Sequence, residues 1–103
     1  MRGMNDLVRQ AQMMQKKMQK LQEELNEREV EASAGGGMVT VTATCSGVVK
    51  AITIDPACVD PEDVEMLQDL VLAAVNEAVK KGKDTAEDEM KTITGGVNIP
   101  GMF

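Results

Sequence analysis

The residues of this chain whose types and spacing could do chemistry are basic groups near its start. Arg2, Arg9 and Lys16 recur at intervals of seven residues, and Lys17 and Lys20 flank them. Side chains seven residues apart lie on the same side of an α-helix, so this spacing predicts a cationic helix face. Such a face binds an anionic partner through charge, without covalent or acid–base chemistry.

The other side of the same segment is apolar. Its apolar residues alternate at spacings of three and four, the heptad pattern that keeps one stripe of a helix against a partner helix. This stripe, called the seam below, consists of Met4, Leu7, Ala11, Met14, Met18, Leu21 and Leu25. A helix this long, roughly 35 Å, exceeds a small domain's radius of gyration of about 13 Å. We therefore interpret it as an arm whose seam needs a second helix, from this chain or from another copy.

The sequence contains no recognisable catalytic or metal-binding constellation. Histidine, the usual general base and metal ligand, is absent from the chain. Cys45 and Cys58 lack metal-type spacing; we expect Cys45 to be a small core residue and Cys58 to lie in a loop. Carboxylates such as Glu62 and Asp69 are expected on an exposed helix face. We expect no catalytic residue, no metal, no cofactor and no small-molecule substrate.

Charge is distributed unevenly along the 103 residues. The net charge of −6 would by itself argue against nucleic acid as a partner. Residues 1–20, however, hold five basic groups and one acid, a local charge of +4, whereas the other 83 residues carry −10. This asymmetry favours an interaction surface, although charged helix faces also serve solubility alone. With one aromatic residue, the chain lacks a base-stacking platform for single strands.

Composition also bounds the compartment and the size of the fold. The first ten residues lack the apolar core of a signal peptide, and no stretch approaches the roughly 20 apolar residues of a membrane span. Two cysteines do not form a disulfide framework. We expect a cytoplasmic protein with reduced thiols and no membrane partner, built as one domain over residues 1–103.

Hydrophobic periodicity predicts the elements that position the arm. Asn5 is the expected N-cap of a first helix that runs to about Glu27 or Arg28. The period then changes to two, which predicts strands over residues 29–34, 39–45 and 48–54. Glycine turns separate the strands, so they should form a three-stranded antiparallel meander.

A second long helix is expected after the sheet. Asp60 is its predicted cap and Pro61 its first helical residue. A wide apolar stripe predicts packing on the sheet, and helical spacing continues to about Thr92, with a bend near Gly82. The far end should form a second arm, followed by a flexible tail over residues 95–103. The predicted protomer is therefore α+β, with the order α-β-β-β-α.

Several segments, in this order, resemble a known family. The matching segments are Gln10–Gln15, Gly35–Val39, Asp55-Pro56, Leu70–Ala78 and Pro100-Gly101. Together they resemble the bacterial YbaB/EbfC family of nucleoid-associated proteins. The resemblance implies a homodimer with a shared sheet and projecting helical arms, which binds double-stranded DNA in the nucleoid and has no catalytic role.

The resemblance also implies which residues meet DNA, because the family's contacts are attributed to its helical arms. The matching basic residues are Arg9, Lys16, Lys17 and Lys20 in the first helix and Lys80, Lys81, Lys83 and Lys91 at the far end of the second. Glu23, Glu24 and Glu27 depart from a simple basic arm. The prediction is phosphate binding that organises the nucleoid and affects gene expression. The alternative is a dimeric scaffold for protein partners, in which the lysines only aid solubility.

Overall fold

The computed structural model describes residues 2–94, and it has the predicted order α-β-β-β-α. Met1 and residues 95–103, where a flexible tail was expected, lie outside the described residues. The elements are α1 (Arg2–Glu27), β1 (Glu29–Ala34), β2 (Val39–Thr44), β3 (Val49–Ile54), a short 3-10 turn (Pro56–Cys58) and α2 (Val64–Thr94). The prediction of an α+β chain with two long helices is confirmed.

The three strands form an antiparallel meander in the order β1-β2-β3, as the short turns predicted. The turn between β1 and β2 uses Gly35, Gly36 and Gly37, whose φ angles are 66°, 68° and 94°. Only glycine adopts such angles without strain, so this glycine run fixes the hairpin. A β-bulge between Thr42 and Ala43 shifts the pairing of β2 with β3.

α2 packs across one face of the sheet and forms the main core. Val39, Val41 and Ala43 of β2 are fully buried beneath it, as are Ala74 and Ala78 of the helix. Alanines on the contacting face of α2 leave room for the valines of the central strand. This core explains why the middle of α2 has a wide apolar stripe.

β3 lies beyond the reach of this helix and keeps an apolar face open. Ile52 pairs with Val41 and Ile54 pairs with Val39, so both isoleucines lie on the face that α2 covers elsewhere. They are nevertheless 45% and 37% exposed. With Val49, which is 38% exposed, they form an uncovered apolar surface that we call the β3 strip.

Both helix starts differ from the sequence prediction. α1 begins at Arg2, so Asn5 lies inside the helix and does not cap it. α2 begins at Val64, and its capping carboxylate is that of Asp63, whose Oδ1 accepts a hydrogen bond from Met66 N at 3.2 Å. Asp60 instead stabilises a preceding turn, because its Oδ1 accepts from Glu62 N at 2.9 Å. Asp60 and Asp63 are both suitable N-cap residues by sequence. Because Asp60 is used in the turn, the helix begins after Asp63.

Gly82 does not interrupt α2. The helix is continuous from Val64 to Thr94, and Gly82 is buried where it passes the end of β2. A β-carbon built on Gly82 would lie 2.8 Å from the Thr44 carbonyl oxygen and 3.2 Å from Cys45 Cα. The glycine therefore permits a close approach between helix and strand backbones.

Beyond the sheet, α1 and the end of α2 form an elongated arm. Arg28 Nη1 lies 3.1 Å from Glu89 Oε1, whereas Met14 and Ile93 line one groove, so the helices run antiparallel. The radius of gyration is 19.6 Å, compared with about 13 Å for a compact chain of this length. The molecule measures 74 × 24 × 16 Å, so the arm projects well beyond the sheet.

Candidate nucleic-acid interface

The predicted DNA-contact residues of α1, which are Arg9, Lys16, Lys17 and Lys20, are all exposed on the projecting arm. Arg9, Lys16 and Lys20 lie on the side away from the seam, as their spacing predicted. Lys17 lies on the flank of the helix, where it lines a shallow groove with Met13 and Ile93. α1 therefore presents a line of cations to solvent along its first twenty residues, whereas the base of the arm is acidic at Glu23, Glu24 and Glu27.

The second predicted group of lysines is divided between two parts of the molecule. Lys80, Lys81 and Lys83 flank the close approach of Gly82 to Thr44, so they lie beside the sheet and not at the far end of α2. Only Lys91 lies on the arm, because the helix continues for about 18 Å past Gly82. The prediction placed all four at the far end of α2, but α2 continues to Thr94, so three of them lie near the middle of the helix.

One of these lysines already has a partner. Lys81 Nζ donates a hydrogen bond to the Glu31 carbonyl oxygen at 3.0 Å, on the outer strand β1. This contact ties the middle of α2 to the edge of the sheet. Lys81 therefore has fewer free donors for an external anion than its neighbours Lys80 and Lys83.

The seam is covered only towards its C-terminal end, where three of its seven residues are buried or half-buried. Leu21 and Leu25 are buried, with Cys45, against a group of α2 residues that consists of Ala86, Met90 and Ile93. Met18 is half-buried, whereas Ala11 and Met14 are exposed. Met4 and Leu7 are 68% and 67% exposed. The boundary follows from the length of α2, which ends at Thr94 next to the middle of α1.

An open groove of about 530 Å³ lies between α1 and the end of α2. Ala11, Met14, Met18 and Met90 form its apolar wall, and Gln15, Gln19 and Gln22 line its rim. The groove is wide and shallow, unlike an enclosed substrate pocket. The groove lies between the exposed part of the seam and its buried part at the base of the arm.

The two cysteines are both buried and free. Cys45 follows β2 and packs with Leu21 and Leu25, as expected for a small core residue. Cys58 was expected in an accessible loop, but its thiol lies in the core below the 3-10 turn and donates to the Asp55 carbonyl oxygen at 3.1 Å. A single turn of 3-10 helix has no clear sequence period, so its inward direction was not predictable.

Residues 2–94 show neither a metal-binding cluster nor a membrane-spanning helix. Within this range, no cluster of three or more histidine, cysteine or carboxylate side chains is arranged to hold a metal ion. Neither described helix is long and apolar enough to span a bilayer.

Comparison with known proteins agrees with this geometry. Residues 1–97 match the model of the YbaB/EbfC DNA-binding family. A nucleoid-associated protein of Acetivibrio thermocellus is 59% identical over 102 residues, with 98% of this chain and 90% of that protein covered. A nucleoid-associated protein of Clostridium novyi is 56% identical over 101 residues, with 98% and 89% covered.

A solved structure shares the fold. An uncharacterized protein from Helicobacter pylori superposes with a TM-score of 0.73 at 24% sequence identity, over 85% of this chain and 92% of that chain. The family model spans both helices and all three strands of this chain. The chain therefore belongs to the YbaB/EbfC DNA-binding family.

Proposed function

We propose that this protein binds double-stranded DNA through phosphate contacts made by its projecting arm. The observation that carries the proposal is the exposed line of Arg9, Lys16 and Lys20 on the outer side of α1. Side chains of this type neutralise phosphates and release condensed counterions, which supplies affinity without sequence information. Lys17 on the flank and Lys91 near the end of α2 extend the same cationic surface.

Lys80 and Lys83 form a secondary contact region beside the sheet. Both are exposed and lie on the same helix as Lys91, but nearer the acidic body. Lys81 lies in the same region. Because its ammonium group already donates to the Glu31 carbonyl oxygen, it would contribute less to phosphate binding. The main affinity is therefore assigned to α1, with α2 contributing contacts when a duplex lies across both.

The binding unit is proposed to be a homodimer. A strip of Val49, Ile52 and Ile54 stays exposed on a face that is otherwise core, next to the unpaired edge of β3. Monomeric proteins seldom leave a large contiguous apolar surface of this kind in water. A second copy that packs on the β3 strip would bury it and would bring two arms into one assembly.

The uncovered half of the seam is proposed to meet the second copy as well. Met4, Leu7, Ala11 and Met14 continue the stripe whose lower end is buried against α2 of the same chain. The heptad spacing favours a helix as the covering element. The seam would thus serve packing within the arm at its base and between copies toward its tip.

The proposed role follows from the relatives, which are named nucleoid-associated proteins. A dimer that clamps duplex DNA through phosphates would lie in the bacterial nucleoid, in the cytoplasm, where it would organise DNA and affect gene expression. The same single domain, residues 1–103, would act without a cofactor or a catalytic residue.

Salt dependence is the experiment that tests the proposal. Fluorescence anisotropy with a labelled duplex of roughly 30 base pairs, about three helical turns, would give affinity across a salt series. We expect log K to fall against log salt with a slope of roughly −3 to −6, from about four to six neutralised phosphates.

Matched charge reversals make this test specific to the arm. Lys16→Glu with Lys17→Glu should weaken binding to every duplex and flatten the slope, whereas Lys50→Glu in β3 should do much less. An unchanged slope in the reversed arm would move the site to the second lysine group. A purified protein that binds no duplex even at low salt would instead favour the scaffold function.

A further inference from the structure

The outer side of α1 carries uncharged carboxamides between its cations. Asn5, Arg9, Gln12 and Lys16 follow one another at spacings of four, three and four residues. Each lies two positions before a residue of the seam, which places it about 200° around the helix from that stripe. We call these four residues the back stripe; it alternates amide, cation, amide, cation.

The carboxamides of the back stripe are available to an external partner. Asn5 and Gln12 are exposed, and neither side chain forms a hydrogen bond within residues 2–94. Gln22 is different, because its Nε2 donates to Asn26 Oδ1 at 3.1 Å. The stripe also faces away from α2, so packing at the base of the arm leaves it open.

Amide and guanidinium groups recognise particular base edges. Asn and Gln form bidentate hydrogen bonds with N6 and N7 of adenine in the major groove, and Arg pairs with O6 and N7 of guanine. A row made only for phosphate contact needs none of this chemistry, since phosphate carries no sequence information. The carboxamides therefore add a capacity that the lysines lack.

We propose that Asn5 and Gln12 contact adenine edges in the major groove and give this protein sequence discrimination beyond phosphate binding. The inference rests on the proposed DNA-binding function and concerns the same arm. Arg9 lies one turn from each amide, and Lys16 lies one turn beyond Gln12, where both cations can reach the flanking phosphates.

The dimensions of the helix and of the groove are compatible. The major groove is about 12 Å wide and admits one α-helix. Asn5 and Gln12 are separated by seven residues, a rise of about 10 Å along the helix axis. This matches about three base-pair steps of roughly 3.4 Å each, so one passage through the groove brings both amides to base edges. The seam faces outward in this orientation, so a helix packed on it remains outside the groove.

The experiment uses DNA in which a single acceptor atom is changed. In 7-deazaadenine a C–H group replaces N7, which removes the major-groove acceptor and keeps base pairing and phosphate charge. Affinities of the full-length protein would be measured by anisotropy for an alternating dA–dT duplex and for its fully 7-deazaadenine counterpart. We expect the substitution to weaken binding about fivefold, in the range for one impaired bidentate contact.

Alanine variants assign the effect to residues. Asn5→Ala with Gln12→Ala should bind both duplexes equally, and no more tightly than the unchanged protein binds the substituted one, because alanine removes the contacts to both N6 and N7. Alanine has the higher helix propensity, so α1 should persist, and circular dichroism would verify this. The salt slope should stay unchanged, because no cation is removed. Gln22→Ala, outside the back stripe, should keep the fivefold difference.

The outcomes separate this inference from the function on which it rests. Equal affinity of the unchanged protein for both duplexes, with a normal salt slope, would overturn the inference and leave phosphate binding intact. If the double alanine variant still bound the 7-deazaadenine duplex more weakly than the unsubstituted one, the assignment to Asn5 and Gln12 would also be overturned. Absence of binding to either duplex at low salt would refute the proposed function and the inference together.

Discussion

Gly82 of α2 lies so close to Thr44 of β2 that an added β-carbon would stand 2.8 Å from the Thr44 carbonyl oxygen. The contact is between backbones, so neither side can relieve it by changing a rotamer. It fixes the point at which α2 leaves the sheet and enters the arm. Lys83 still lies beside the sheet, and the eleven residues from Asp84 to Thr94 form the α2 half of the arm.

Gly82→Ala should therefore destabilise the protein despite the better helix propensity of alanine. Alanine gains about 1 kcal/mol in a helix interior. Overpacking against the Thr44 carbonyl forces backbone shifts that cost about 1–3 kcal/mol or more. We expect a net loss in the free energy of unfolding, measured by urea denaturation. Gly3→Ala is the control, since no atom lies within 4 Å of its β-carbon position.

Ile52→Asp should convert the proposed dimer to monomer. The substitution places a carboxylate in the middle of the β3 strip, where association would have to desolvate it without a partner. Sedimentation should then give a folded species of about 11.1 kDa. Thr53→Asp changes the next residue of the same strand, on the opposite face, and should leave association unchanged. If the unchanged protein already sediments as a monomer at micromolar concentration, the dimer proposal is wrong.

The two halves of the seam should respond differently to truncation. Leu21 is 7% exposed, so Leu21→Ala should lower the free energy of unfolding by about 2–4 kcal/mol through loss of contacts and a residual cavity. Leu7→Ala, made in the Ile52→Asp background, should change it by no more than about 0.5 kcal/mol. Thermal and urea unfolding would measure both, and equal effects would contradict the observed division of the seam.

Lys81 and Lys83 have the same charge but are expected to act differently, Lys81 in stability and Lys83 in DNA binding. Lys81→Gln removes the ammonium that donates to the Glu31 carbonyl, so it should lower stability by about 1 kcal/mol. Its effect on the salt slope of DNA binding should be small. Lys83→Gln should leave stability unchanged and, where a duplex reaches this region, reduce the slope by about 1. The reverse pattern would mean that Lys81 is the phosphate contact.

The strand part of the fold was predictable because its signals are local. Val39 and Val41 alternate with threonines, and glycine runs mark the turns, so period and turn chemistry agree. The helix starts were less predictable, since Asn5 and Asp60 are both good caps in isolation. At Asp60 a turn held by Asp60 itself places the start of α2 three residues later, beyond Asp63.

The candidate site was predictable only in part, for a physical reason. The cationic side of α1 follows from spacing within one helix, which the sequence contains in full. Exposure of the β3 strip depends on where α2 crosses the sheet, and the seam's division depends on where α2 ends. The partnership of Lys81 with Glu31 joins residues fifty positions apart. These relationships are tertiary, and no local period encodes them.

The tip of α1 has a mechanical consequence. α2 ends beside Met13 and Met14, so the first eleven or so residues of α1, about 16 Å of helix, extend beyond the packing that α2 of the same chain provides. Within one protomer α1 is anchored at Leu21 and Leu25. A small rotation of the helix at these residues would produce a larger displacement at Asn5. In the proposed complex with DNA, the direction of the tip would adjust while its cations keep their spacing, so that one protein would follow straight and curved duplexes alike.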